Sequence, residues 1–149
     1  MKILLATDGS DCSEAAVTEV AGRPWPSGSE VRVISIVEPV LSPTPETWML
    51  PPQYYDDIEK VGQEHANKAV DRALSRLSIN RELKASSEVI RGIPKQSILD
   101  VAEAWGANLI VLGSHGYRGW DRFLLGSVSQ SVASHAKCSV EIVRCARRA

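Results

Sequence analysis

Two short runs in this chain are apolar at every position, Ile3 to Ala6 and Leu109 to Leu112. A strand of that kind buries both of its faces, which is the habit of a parallel sheet covered on two sides. Val31 to Val37, within EVRVISIV, is β-branched and reads as a strand, as do Lys84 to Ile90 and the closing SVEIVR. Between these runs the apolar residues recur at helical spacing. Ala15, Ala16, Val20 and Ala21 form one such set. Ile58, Val61, Ala69, Val70, Ala73, Leu74 and Leu77 form a second. Ile98, Val101, Ala102 and Trp105 make a third, and Val128, Val132 and Ala136 a fourth. Five strands alternate with four helices, which predicts an α/β fold: an open five-stranded parallel sheet with helices on both faces. No internal repeat or boundary interrupts it, so residues 1–149 are expected to form one domain.

Punctuation sharpens the elements. Asp8-Gly9-Ser10 ends the first strand, and a helix is expected to start near Ser10 or Asp11, where Asp11 with Glu14 has capping-box spacing. Pro24, Pro26 and Gly28 close that helix, and Pro94 suits the first position of a later one. The stretch from Glu38 to Asp57 holds five prolines with Trp48, Tyr54 and Tyr55, and reads as a long loop. Ser127 with Gln130 fits S-x-x-Q and predicts a capped start for the last helix.

Composition then narrows the function. The formal charge is −1, with 44% hydrophobic and 23% charged residues, so neither nucleic acid nor an anionic membrane is expected as a partner. Arg144, Arg147 and Arg148 read as a solvated tail. The N-terminal apolar run stops at Asp8, too early for a signal peptide. Three cysteines, Cys12, Cys138 and Cys145, form no C-x-x-C pair and leave one unmatched. This argues for a reducing compartment, against a disulfide framework, and so for a cytoplasmic protein.

In an open parallel sheet, ligands settle at the carboxyl ends of strands where the strand order reverses. Two segments leave such ends: Thr7-Asp8-Gly9-Ser10, and the run from Gly113 to Ser129, GSHGYRGWDRFLLGSVS. In the second, Gly113 and Gly116 allow backbone to approach a ligand, and Gly126-Ser127 precedes a helix. The free N–H groups and positive potential of a helix N-terminus suit a phosphate. Ser127 and Ser129 would add hydroxyl donors, with Arg118 and Arg122 at the rim. Turn glycines and a simple cap would explain isolated residues, but the combined pattern favours an anion site. It is not a Walker A loop, because Val128 rather than Lys follows Gly126-Ser127, and the glycine spacing does not fit the dinucleotide fingerprint. His65, His115 and His135 share no ligand spacing, so no metal site is expected from side chains alone. Cys12 reads as an inert small residue near a helix start.

Gly113-x-x-Gly116, nine residues, then Gly126-Ser127 resembles the nucleotide-binding signature of the universal stress protein family. ILLATDGS, RGIP and SHAKCSVEIVR extend the similarity along essentially the whole chain. The resemblance implies a nucleotide-binding regulatory protein of the stress-response type, often a homodimer, with a subgroup that binds ATP. Carried over by position, Ala6 and Thr7 would border the nucleotide, and Asp8 would stand near ribose or a Mg-bridged phosphate. Ile36 and Val37 would line adenine, while Gly113, Gly116, Gly126, Ser127, Val128 and Ser129 would wrap ribose and phosphates. No catalytic residue is implied, and any ATPase activity should be weak. A protein partner is expected but not named. Two positions depart from the family: Ser139, where Pro is usual, and Glu141, where an apolar residue is usual. A charge on an edge strand discourages pairing between chains, which weakens the case for the usual dimer. The alternative is a dimerising interaction module that does not bind nucleotide. An adenylating or thiolating enzyme would need S-G-G-x-D-S or H-x-G-H, and neither is present. A Gly113→Ala, Gly126→Ala double substitution is expected to leave the fold intact and abolish binding.

Overall fold

The computed structural model describes residues 1–40, 51–116 and 125–145. Its elements run β1 (Lys2–Ala6), α1 (Asp11–Gly22), β2 (Glu30–Val37), α2 (Pro52–Leu77), β3 (Lys84–Arg91), α3 (Pro94–Trp105), β4 (Leu109–Gly113), α4 (Ser127–His135) and β5 (Ser139–Val143). The strands form one all-parallel sheet in the order β3-β2-β1-β4-β5. The predicted α/β architecture is the observed one.

Alternation along the central strands divides the core in two. Ile3 and Leu5 of β1, with Val31 and Val33 of β2 and Val111 of β4, pack under Val17 and Val20 of α1 and Val70 and Leu77 of α2. Leu4 and Ala6, with Ile34, Ile110 and Leu112, face the other way against Ile98 and Ala102 of α3 and Val132 of α4. Successive residues of a strand point to opposite faces, so a strand apolar at every position feeds both layers. Each fully buried Leu or Ile contributes about 1.5–3 kcal/mol from transfer alone.

Several local readings are corrected. Ser10, not Asp11, is the N-cap of α1; its Oγ accepts the N–H of Ser13 at 3.4 Å. Asp11 is already the first helical residue, because a cap must keep extended dihedrals, as Ser10 does. The loop from Glu38 ends earlier than expected: α2 begins at Pro52, since proline at the first helical position forfeits only an N–H that would lack an intrahelical partner. Trp48 lies outside the described residues. Ile58 and Val61 are 42% and 66% exposed, and the buried stripe of α2 is Ala66, Ala69, Val70, Ala73 and Leu77. The last helix has Gly126 as its N-cap with no side-chain cap bond, so Ser127 is a first-turn residue and the S-x-x-Q box does not form.

The reading of the cysteines is also overturned. Cys12 and Cys145 are joined by a disulfide across 133 residues, and Cys138 is the free thiol. The pairing follows from topology. β5 lies beside β4, and α1 packs against both, so the exit of β5 meets the start of α1. The inference from unpaired cysteines to a reducing compartment therefore falls. Among the described residues, no helix is long and apolar enough to cross a membrane.

Candidate functional site

The strand order reverses between β1 and β4, whose neighbours lie on opposite sides. A cavity of about 530 Å³ opens at the carboxyl ends of these strands. Its volume is that of a small-molecule site. Ala6, Thr7 and Asp8 enter it from β1, Leu112 and Gly113 from β4, and Ile36 with Glu38 from the end of β2. His115 and Gly116 follow β4, and Gly126 through Ser129 close the far side.

The β1 end is held by a compact hydrogen-bond cluster. The Thr7 N–H donates to the Ile34 carbonyl at 2.9 Å, and the Thr7 hydroxyl donates to Ser13 Oγ at 3.1 Å. Ser13 Oγ in turn donates to the Ser10 carbonyl. Asp8 Oδ1 accepts the Ser10 N–H at 3.0 Å, the local turn that aspartate favours. A Cβ on Gly116 would lie 2.6 Å from Asp8 Oδ2, so backbone and carboxylate stand face to face.

The β4 end is organised by one carbonyl. Ser114 O accepts the Gly126 N–H at 2.8 Å and the Ser129 hydroxyl at 2.9 Å, drawing α4 onto the strand end. The Ser114 N–H donates to Val143 O, which ties in β5. Gly113 is there for close approach: a Cβ would lie 2.6 Å from the carbonyl carbon of Cys12 and 2.7 Å from the Ser13 nitrogen. Only glycine lets the start of α1 pack on this strand end.

The first intrahelical bond of α4 is donated by Gln130 to Gly126 O. The N–H groups of Ser127, Val128 and Ser129 precede it and have no helical acceptor. All three residues line the cavity. The described lining includes Asp8 and Glu38 but no lysine or arginine. An anion here is met by backbone dipoles, not by a described cationic side chain. Arg118 and Arg122 lie outside the described residues. Asp8 brings a carboxylate, a hard oxygen donor of the kind that divalent ions take, to the cavity wall. Among the described residues, no group of three or more His, Cys, Asp or Glu forms a metal site.

Of the residues expected from sequence, all but Val37 line this cavity. Val37 turns to the other face, where its Cγ1 would meet a Cβ on Gly62 at 3.3 Å. Strand alternation carries that signal, because Ile36 and Glu38 share one face and Val37 takes the other. The Ser129 hydroxyl is engaged with Ser114 O and Gly126 O, so it braces the loop instead of serving as a free donor. Sequence reasoning missed Ser13, Glu38, Pro94, Ile98 and Leu112, while His115, which it weighed as either a phosphate neighbour or a solvent-facing loop residue, lines the cavity. His115 Nδ1 lies 3.1 Å from Ser114 Oγ, and its buried Nε2 has no hydrogen-bond partner.

The sequence profile of the universal stress protein family matches residues 1–144. The chain belongs to that family. Among universal stress proteins, MJ0531 of Methanocaldococcus jannaschii is 32% identical over 146 residues, covering 96% of this chain and 81% of the relative. UspA of Lactobacillus plantarum superposes with a TM-score of 0.80 at 26% identity, covering 97% of each chain. A universal stress protein family structure from Arabidopsis thaliana, with AMP bound, shares the fold with a TM-score of 0.68 at 14% identity; 98% of this chain and 92% of that one are covered.

Proposed function

We propose that this universal stress protein is a regulatory adenine-nucleotide-binding protein, with ATP the ligand its cavity suits. One observation carries the reading: the three first-turn residues of α4, Ser127, Val128 and Ser129, whose N–H groups have no helical acceptor, line a cavity at the switch point of the sheet. Phosphates would sit against these amides, with Asp8 near the ribose or a phosphate-bound Mg²⁺. Ile36, Pro94 and Ile98 give the opposite end an apolar wall for a base. AMP bound to a protein of the same fold supports the choice of adenine nucleotide.

The reading treats the chain as one domain that holds its ligand without turning it over. A bound nucleotide stabilises the folded form by mass action, about 2.7 kcal/mol at 100 times Kd. That stabilisation is available to shift partner choice or lifetime. Homodimerisation through β5 remains open to this chain, because the charge of Glu141 is met internally. Arg23 holds it through two bonds of 2.7 Å.

The test is to denature the purified protein and identify released small molecules by mass spectrometry, then to add ATP with Mg²⁺ to the emptied protein. Adenylate in the extract, or a rise in melting temperature with ATP, supports the reading. The absence of both adenylate and a shift overturns it.

A further inference from the structure

We propose that the free edge of β3 is a pairing surface for a second copy of this chain, joined antiparallel about Ser86. β3 is an outer strand of the sheet, and it pairs with β2 at each of its eight positions, from Lys84↔Glu30 to Arg91↔Val37. It carries no bulge and no proline, two of the devices that blunt an edge. Ala85, Ser86 and Ser87 are small, and the whole run from Lys84 to Glu88 is exposed. Among the described residues, neither Lys84 nor Glu88 is in a salt bridge of its own chain.

The backbone fixes which residues a second strand would meet. The Lys84 N–H donates to Ser29 O at 3.1 Å, and the Gly92 N–H to Val37 O at 3.0 Å. Alternate residues between these two bonds also turn toward β2, namely Ser86, Glu88 and Ile90. The N–H and C=O groups of Ala85, Ser87, Val89 and Arg91 therefore point out of the sheet. In an antiparallel pair centred on Ser86, Ala85 of each copy faces Ser87 of the other and exchanges both bonds with it. Ser86 faces its own copy in the closer, non-hydrogen-bonded pair. A slide of one residue sets outward-bonding positions against inward-bonding ones and loses the ladder.

Charge selects the same register. Lys84, Ser86 and Glu88 share one face of β3, and the axis through Ser86 sets Lys84 of each copy opposite Glu88 of the other. A slide of two residues either way breaks both pairs, because Lys84 then faces Ile90 or Ser86. A lone charge on an edge discourages pairing, but two opposite charges placed evenly about an axis admit one register and penalise the rest. Ile79 and Ile93, exposed at equal distances along the chain from Ser86, lie at opposite ends of the edge. Antiparallel pairing carries Ile79 of one copy toward Ile93 of the other. The contact is isologous, as closed pairs of identical chains are, and it is independent of the nucleotide reading.

The experiment is sedimentation equilibrium of the full chain over a concentration series at low salt. The paired run is short, so the expected result is a weak, concentration-dependent monomer–dimer equilibrium. Lys84→Glu and Glu88→Lys should each weaken self-association about tenfold, because both ion pairs of the dimer become repulsions. Mixed together, these two variants should associate with one another, since each supplies the charge the other lacks. A chain carrying both substitutions should recover the original affinity. Ser86→Cys should cross-link to its own copy under mild oxidation, as facing residues of a non-hydrogen-bonded pair lie about 4.5 Å apart at Cα. Ser87→Cys, which faces Ala85, should give no more cross-linking than the unaltered chain. All four positions changed are exposed, so melting temperatures should be unaltered. A chain that stays monomeric throughout the series overturns the proposal. So does a dimer whose affinity ignores both charge substitutions, because it is joined elsewhere, at β5 for example.

Discussion

Gly116 and Asp8 meet across the mouth of the cavity so closely that an added Cβ at 116 would stand 2.6 Å from Oδ2 of the carboxylate. The clash is with the movable end of a side chain, not with backbone. Gly116→Ala should therefore fold, with a stability change within about 1 kcal/mol, because the lost unfolded-chain entropy offsets the disturbance. It should displace Asp8 from its bond to the Ser10 N–H. If Asp8 serves the ligand, ATP affinity falls about tenfold, the equivalent of one hydrogen bond of about 1.4 kcal/mol. Urea denaturation and calorimetric titration measure the two effects separately.

Gly113 behaves differently. Its missing Cβ would meet the main chain of Cys12 and Ser13, which cannot swing aside. Gly113→Ala should cost about 1–3 kcal/mol, the range for forced overpacking. The expectation that a double substitution at Gly113 and Gly126 leaves the fold intact is thus replaced. Denaturant midpoints for Gly113→Ala and Gly116→Ala, compared in one series, should differ in that order.

Arg23 bridges Glu19 and Glu141, and its guanidinium is held above its ordinary range chiefly by the hydrogen bonds to Glu141 and then Glu19. Both partners of the Arg23–Glu141 pair remain about one-third exposed, so the interaction is modest. A double-mutant cycle with Arg23→Ala and Glu141→Ala should give a coupling of about 0.5–1 kcal/mol that shrinks in high salt. A coupling near zero would remove the basis for treating Glu141 as neutralised within its own chain.

Cys138 is the free thiol, and burial pushes its pKa above the ordinary cysteine value, with its own backbone hydrogen bond acting weakly in the other direction. The reactive species is the thiolate, so its fraction at neutral pH is lower than for a solvent cysteine. Native protein should react with a disulfide reagent more slowly at this position than does a small free thiol. The rate should still be climbing as pH passes the usual cysteine range. A rate matching the free thiol would contradict the burial.

Much of the fold is legible because Ile3 to Ala6 of β1 and Leu109 to Leu112 of β4 are apolar at every position, which a doubly covered sheet explains. The candidate site is legible because the glycine and serine positions depend on spacing along the chain. What escapes the sequence depends on contacts between distant segments. The Cys12–Cys145 link joins residues whose nearness is created by β5 docking beside β4. Glu38, Pro94 and Ile98 reach the cavity from two elements whose ends converge only in the folded sheet. Other misses were local and avoidable: Val37 follows from strand parity, and Ser10 was as good a cap as Asp11.

The central claim is that the first turn of α4 receives a nucleotide phosphate. Amide NMR during titration of ATP with Mg²⁺ tests it most directly. The account predicts saturable shifts, one site per chain, largest at the N–H groups of Ser127, Val128 and Ser129 and spreading to Gly113 and Gly116. Absence of saturable shifts at these amides, or shifts confined to residues away from the β1 and β4 ends, would contradict it.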